Sequence, residues 1–173
     1  LTAIQDFFKE NYGMGFKCQI AYNYPLDVTS ATMAVDYPEY EGLDSNDVTD
    51  SYRVFAGAMH TSGKKTFSSE NCARMLNFST DIYRVKFKDW LWHVNVSYSG
   101  GNNASVYHGV ESAYDGTQWP GKAAIGPGFA ESFGPRMPYW QYMDETINSY
   151  LARTQKVLQE GQPKIDLAIF FNW

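Results

Sequence analysis

Two hydrophobic periods alternate along this chain, and that alternation limits its fold more than any other feature. Segments with apolar residues every three to four positions mark helix faces; short alternating or continuously apolar runs mark strands. Thr2 to Asn11 carries Ile4, Phe7 and Phe8 on one helical face, with Gly13 just past its end. Phe16 to Tyr22 alternates and predicts a strand, broken by Pro25 and the polar residues after it. Thr32 to Tyr37 predicts a second strand, stopped by Pro38. Behind the cap candidates Ser45, Asn46 and Asp47, the segment Val48 to Ser62 places Val48, Tyr52, Phe55, Ala56 and Met59 at helical spacing, and Gly63 closes it. Lys64 to Glu70 predicts a strand. Ser79 or Thr80 caps a helix marked by Ile82, Val85, Trp90 and Val94, which ends at Gly100-Gly101. Ala104 to Val110 has strand composition. Glu111 to Pro138 is rich in glycine and proline and has no period, and loops of that length are usually functional or disordered. Tyr139 to Glu160 is the clearest helix, with Trp140, Met143, Ile147, Tyr150, Leu151 and Leu158 in its stripe; Gly161 and Pro163 stop it. Ile165 to Phe171 reads as a continuous apolar strand of the buried, parallel kind.

Helices interleaved with strands in this way imply an α/β fold with a parallel sheet built from β/α units. A complete (β/α)8 barrel takes about 250 residues, and this chain of 173 shows roughly half of the units. It reads as a small α/β domain or as the later half of such a TIM-type barrel. The apolar end Phe170-Phe171-Asn172-Trp173 favours the second. On that reading 1–160 forms the later half of a catalytic barrel, and 161–173 forms a final strand or the start of a following domain.

Aromatic side chains make up 17% of the chain, which excludes a disordered polypeptide. They suit a carbohydrate cleft and equally suit ordinary core packing. The net charge of −5 comes with no basic stripe, so nucleic acid is not an expected partner. No apolar run reaches the ~18 residues of a membrane span. The chain starts at Leu1 without a signal-peptide pattern and reads as a mature or excised product. Three glycosylation sequons, at Asn77, Asn95 and Asn103, point to a secreted, extracellular glycoprotein. In that compartment Cys18 and Cys72 could pair as a disulfide, and two free thiols fit as well; no zinc spacing is present.

The acidic residues carry the chemistry. Glu70 ends the Lys64 strand, and Glu39 and Glu41 close the run Ala34 to Glu41. Parallel β/α barrels place their reactive groups at the C-terminal ends of strands. Paired carboxylates there can run the acid and base roles of glycoside cleavage. Glu39 and Glu41 share strand parity, so alternation does not choose between them. His108 follows an apolar strand and suits either a sugar hydroxyl or a structural hydrogen bond. Glu111 and Asp115 lie just past that strand and are candidate substrate or metal ligands. Trp119, in the Gly/Pro-rich loop, suits a sugar platform. Asn102 and Asn103 read as turn residues, with a glycan possible on Asn103. Arg136 and Trp140 read as anchors between loop and last helix. No Ser/Cys/His constellation supports nucleophilic catalysis. Gly126-Pro127-Gly128 lies in the wrong context for phosphate binding.

Several stretches, in order, resemble one family. Asp36-Tyr37-Pro38-Glu39-Tyr40-Glu41 is similar to its Asp-x-Pro-x-x-Glu element, and Gly63-Lys64-Lys65 followed by Ser69-Glu70 to its next strand. Gly101-Asn102-Asn103, Tyr107-His108-Gly109 and Trp119-Pro120-Gly121 resemble its Gly-x-Asn…His segment and long rim loop. Tyr150 to Gly161, with Asp166, resembles its exit helix and strand. The family is glycoside hydrolase family 106, the α-L-rhamnosidases and related polysaccharide-degrading enzymes, and the similarity runs from about Tyr12 to Phe171. The resemblance implies an inverting glycosidase on a (β/α)8 barrel with a bound calcium ion. It assigns Glu70 as general base and Glu41 as an acid near the metal or sugar. It places the general acid upstream of Leu1, so the rest of the barrel is an expected partner beside the carbohydrate substrate. Two other functions fit the same residues: a noncatalytic carbohydrate-binding segment and a polysaccharide lyase.

Overall fold

The computed structural model describes residues 1–20, 27–42, 49–73, 85–109, 133–135 and 137–169. Four strands, β1 (Lys17–Gln19), β2 (Tyr37–Glu41), β3 (Ser68–Asn71) and β4 (Ala104–Tyr107), form one sheet in sequential order, and every neighbouring pair is parallel. Helices α1 (Thr2–Tyr12), α2 (Val28–Met33), α3 (Thr49–Thr61), α4 (Phe87–Ser99) and α5 (Ser149–Glu160) lie before, between and after them. The α/β class with a parallel sheet is therefore observed.

Register divides the sheet into two unlike faces. Tyr40 packs on Tyr52 and Phe55 of α3, and Tyr107 packs on Trp90 of α4. The face carrying Cys18, Tyr40 and Tyr107 is thus the helix-covered one, where the two apolar clusters sit. The opposite parity carries Lys17 and Gln19 from β1, Glu39 and Glu41 from β2, Ser68 and Glu70 from β3, and Val106 from β4. A parallel strand covered on both faces is usually continuously apolar, so this polar face is the one that invites chemistry.

α1 ends where Gly13 adopts a left-handed conformation at φ 64°, as its sequence predicts, and Gly63 does the same after α3 at φ 71°. α1 is tied to the N-terminal end of the sheet through Asp36, which accepts from Gln5 Nε2 at 3.0 Å and from the Phe16 amide at 2.9 Å. The apolar residues Ile4, Phe7 and Phe8 of α1 remain exposed.

Several expectations need correction. Thr32 to Tyr37 is not a strand. Asp27 caps α2, its carboxylate accepting from the Ser30 amide at 3.1 Å, so residues through Met33 are helical. The strand instead starts at Tyr37 and includes Pro38. Proline is tolerated there because pairing with β3 begins only at Glu39. The helix expected over Tyr139–Glu160 is wound three ways: a 3-10 turn (Trp140–Tyr142), a π-helical stretch (Met143–Asn148) and α5. The π stretch buries both Met143 and Ile147 and lets Asn148 accept from Tyr107 Oη at 2.5 Å. Among the described residues of the apolar segment Ile165 to Phe171, none is in a strand. Leu167 and Ile169 are 81% and 86% exposed, because no described strand lies beside them to complete the ladder.

Cys18 and Cys72 are not joined by a disulfide. They pack in different apolar clusters. Asn103 is not a glycan site in this fold. It is buried, its Oδ1 accepts from the Phe67 amide at 2.9 Å, and its Nδ2 donates to the Lys65 carbonyl at 2.7 Å. Asn103 closes the N-terminal end of β3 against β4. Asn77 lies outside the described residues, as do the expected caps Ser79 and Thr80.

Candidate functional site

At the C-terminal ends of the strands the polar face becomes a cluster. Glu41 and Glu70 are register partners on β2 and β3, so their side chains leave adjacent strands in the same direction. His108 directly follows β4, its amide bonded to the Asn71 carbonyl at 3.1 Å. Side-chain donor atoms of Glu41, Glu70 and His108 all lie within 4.8 Å of one another. Three residues from three separate stretches of sequence thus meet at one point, and all three were expected to be functional. Glu41 and His108 are buried, at 5% and 9% exposure, and Glu70 is half-buried.

Glu39 does not join them. It lies one layer down, ion-paired with Lys17 and accepting from Ser68 Oγ at 2.6 Å. That layer is closed on itself, which separates a structural acid from its neighbour two residues on.

Electrostatics sets Glu41 apart. Burial, and next the negative charge of Glu70 beside it, push its carboxyl up from 4.5 to about 7, and a hydrogen bond from Gln19 offsets part of that rise. The Glu41 carboxyl therefore keeps its proton toward neutral pH, where an ordinary carboxylate has lost it. An acid that carries a proton near neutrality is a characteristic of catalytic sites.

Gln19, which sequence reasoning did not single out, completes the group. Its Nε2 donates to Glu70 Oε2 at 2.7 Å and to Glu41 Oε2 at 3.4 Å. The available signal was parity: Lys17 and Gln19 are the polar members of an alternating strand whose other members are apolar or thiol. β3 then turns sharply at Cys72, which holds the left-handed region at φ 73°, unusual for a residue other than glycine.

Spacing limits what the pair can do. An inverting glycosidase holds its acid and base ~6.5–9.5 Å apart on opposite sides of the scissile bond. Glu41 and Glu70 stand side by side on neighbouring strands, bridged by one amide, so both occupy one side of any substrate. They cannot be the opposed pair. Calcium takes six to eight oxygen ligands. The described cluster offers two carboxylates, an imidazole nitrogen and an amide N–H directed at the same carboxylate oxygens. As it stands this donor set does not fit calcium.

Glu111, Asp115, Trp119 and Arg136 lie outside the described residues. Trp140 is exposed at the start of the 3-10 turn. No helix among the described residues is long and apolar enough to cross a membrane. No protein-family model, no curated protein and no solved structure matches this chain.

Proposed function

We propose that this chain carries one side of the active site of an inverting glycoside hydrolase of the α-L-rhamnosidase type, with Glu70 as general base. The sheet supplies four consecutive strands of a (β/α)8 barrel, and the rest of the barrel supplies the general acid. One observation carries the reading: Glu41, Glu70 and His108 converge at the C-terminal ends of consecutive parallel strands, on the face turned away from the helices. Sequential strand order supports a singly wound barrel, since doubly wound sheets reverse their order at the ligand crevice.

In this mechanism Glu70 takes a proton from a water that attacks the anomeric carbon, while the acid opposite protonates the leaving oxygen. Glu41, neutral for much of the time, offers an O–H to the sugar or to Glu70 and keeps a second full negative charge off that side. His108 stands beside both and is placed to donate to a sugar hydroxyl. The sugar class comes from the family resemblance together with the paired acids, and Trp119 is the expected stacking platform.

The test is Glu70→Gln in the intact protein, assayed on an α-L-rhamnoside with the product anomer read by NMR. Turnover should fall about 10²–10⁴-fold, and the wild type should release the inverted anomer. Full activity in the variant removes Glu70 from the chemistry. An unsaturated, ultraviolet-absorbing product would point to a lyase instead.

A further inference from the structure

The lower layer of the polar face uses Lys17, Glu39 and Ser68 on one another. Gln19 does not take part in that layer, although it is in register with Glu39. Its side chain leans along the strand direction and reaches the layer above, where Glu41 and Glu70 stand side by side. Two carboxylates in that relation repel, and each would otherwise rotate toward water. One amide nitrogen has two N–H groups, enough for one oxygen of each acid. A lysine or arginine in its place would hold both acids as anions, and asparagine is one methylene too short to reach. A glutamate would add a third acid.

We propose that Gln19 is the positioning residue of this site: its side-chain amide bridges Glu41 and Glu70, locks their orientation, and leaves Oε1 of Glu70 to act on water. The bridge itself stands on the distances; its consequence for turnover rests on the glycosidase reading above. Gln19 touches neither water nor sugar in this scheme. It acts through Glu70, so its loss affects the chemical step more than substrate binding.

The experiment uses the intact protein with 4-nitrophenyl α-L-rhamnopyranoside as probe. Gln19→Glu keeps the shape and removes the amide, and Gln19→Leu keeps the bulk and removes all polarity. Both should lower kcat by about 10–100-fold, the range set by small misplacement of a reacting group, with KM moving less than about threefold. Wild-type kcat in Gln19→Glu overturns the proposal, as does a loss carried wholly by KM. A second measurement is independent of turnover. The Gln19 side-chain amide resonance should be displaced from the free-glutamine position and should move when Glu70 is changed to Gln. An undisplaced resonance refutes the bridge. A wild type that cleaves no glycoside, with the resonance displaced, refutes the glycosidase reading and the catalytic consequence while leaving the bridge standing.

Discussion

Replacing Glu41 by Gln turns the electrostatics of the site into a stability measurement. In the folded chain the Glu41 carboxyl titrates near 7, against 4.5 for the unperturbed group, because burial and the charge on Glu70 disfavour its anion. Between those two values the folded state holds a proton that the unfolded chain has released. The contribution is therefore fully present below pH 4.5, and it is lost as pH rises through 7. The whole displacement corresponds to at most about 3 kcal/mol. Glu70 and Gln19 are only half-buried, so water screens the site, and a working figure is about 1–2 kcal/mol. Glu41→Gln keeps the shape and cannot ionise. The variant should thus gain on the wild type by about 1–2 kcal/mol between pH 4.5 and pH 8. Urea denaturation at both pH values measures that difference, and comparing the two proteins cancels the groups that do not sense the charge on Glu41. A carbon-13 titration of the Glu41 carboxyl checks the cause directly, with a midpoint near 7 expected. A stability difference that stays constant across the range, with a midpoint in the usual carboxylate region, would refute the reasoning.

Two further outcomes follow from packing around the sheet. Gly101 sits at φ 104°, and a Cβ there would lie 2.5 Å from the Cβ of Ala56, so Gly101→Ala should lower stability by about 2 kcal/mol or more in thermal melts, with Ala56→Gly recovering only the steric part. Asn103→Leu strips the buried Phe67 amide of its partner and breaks a second bond to the carbonyl of exposed Lys65, and should cost about 1–3 kcal/mol in urea denaturation; an unchanged midpoint would show that water takes over both bonds.

Much of the fold can be read locally. Gly13 and Gly63 end helices where their positions predict, and α3 forms over the residues whose apolar spacing marks it, whereas α4 starts only at Phe87 and leaves out Val85, which that spacing had counted in the helix. Glu70 and His108 are also identifiable as polar residues that close strand-like segments, while local pattern leaves Glu39 and Glu41 equivalent and only the family resemblance prefers Glu41. The failures share a cause. Whether Thr32 is helical depends on one cap at Asp27, and whether Pro38 enters a strand depends on where β3 begins to pair. Ile165 to Ile169 has the composition of a buried strand, but burial requires a neighbour that sequence pattern does not supply.

Sequence by itself determined the α/β class and the acids worth watching, since period, caps and parity act over a few residues. Tertiary structure decided which acid joins the cluster, a choice that strand parity left open. A β2–β3 register that pairs Glu41 with Glu70, and Glu39 with Ser68, places one glutamate beside Glu70 and His108 and locks the other in an ion pair. The same register brings in Gln19 and lifts the Glu41 carboxyl toward neutrality. Register and desolvation arise from contacts between residues far apart in the chain, and no local pattern encodes them.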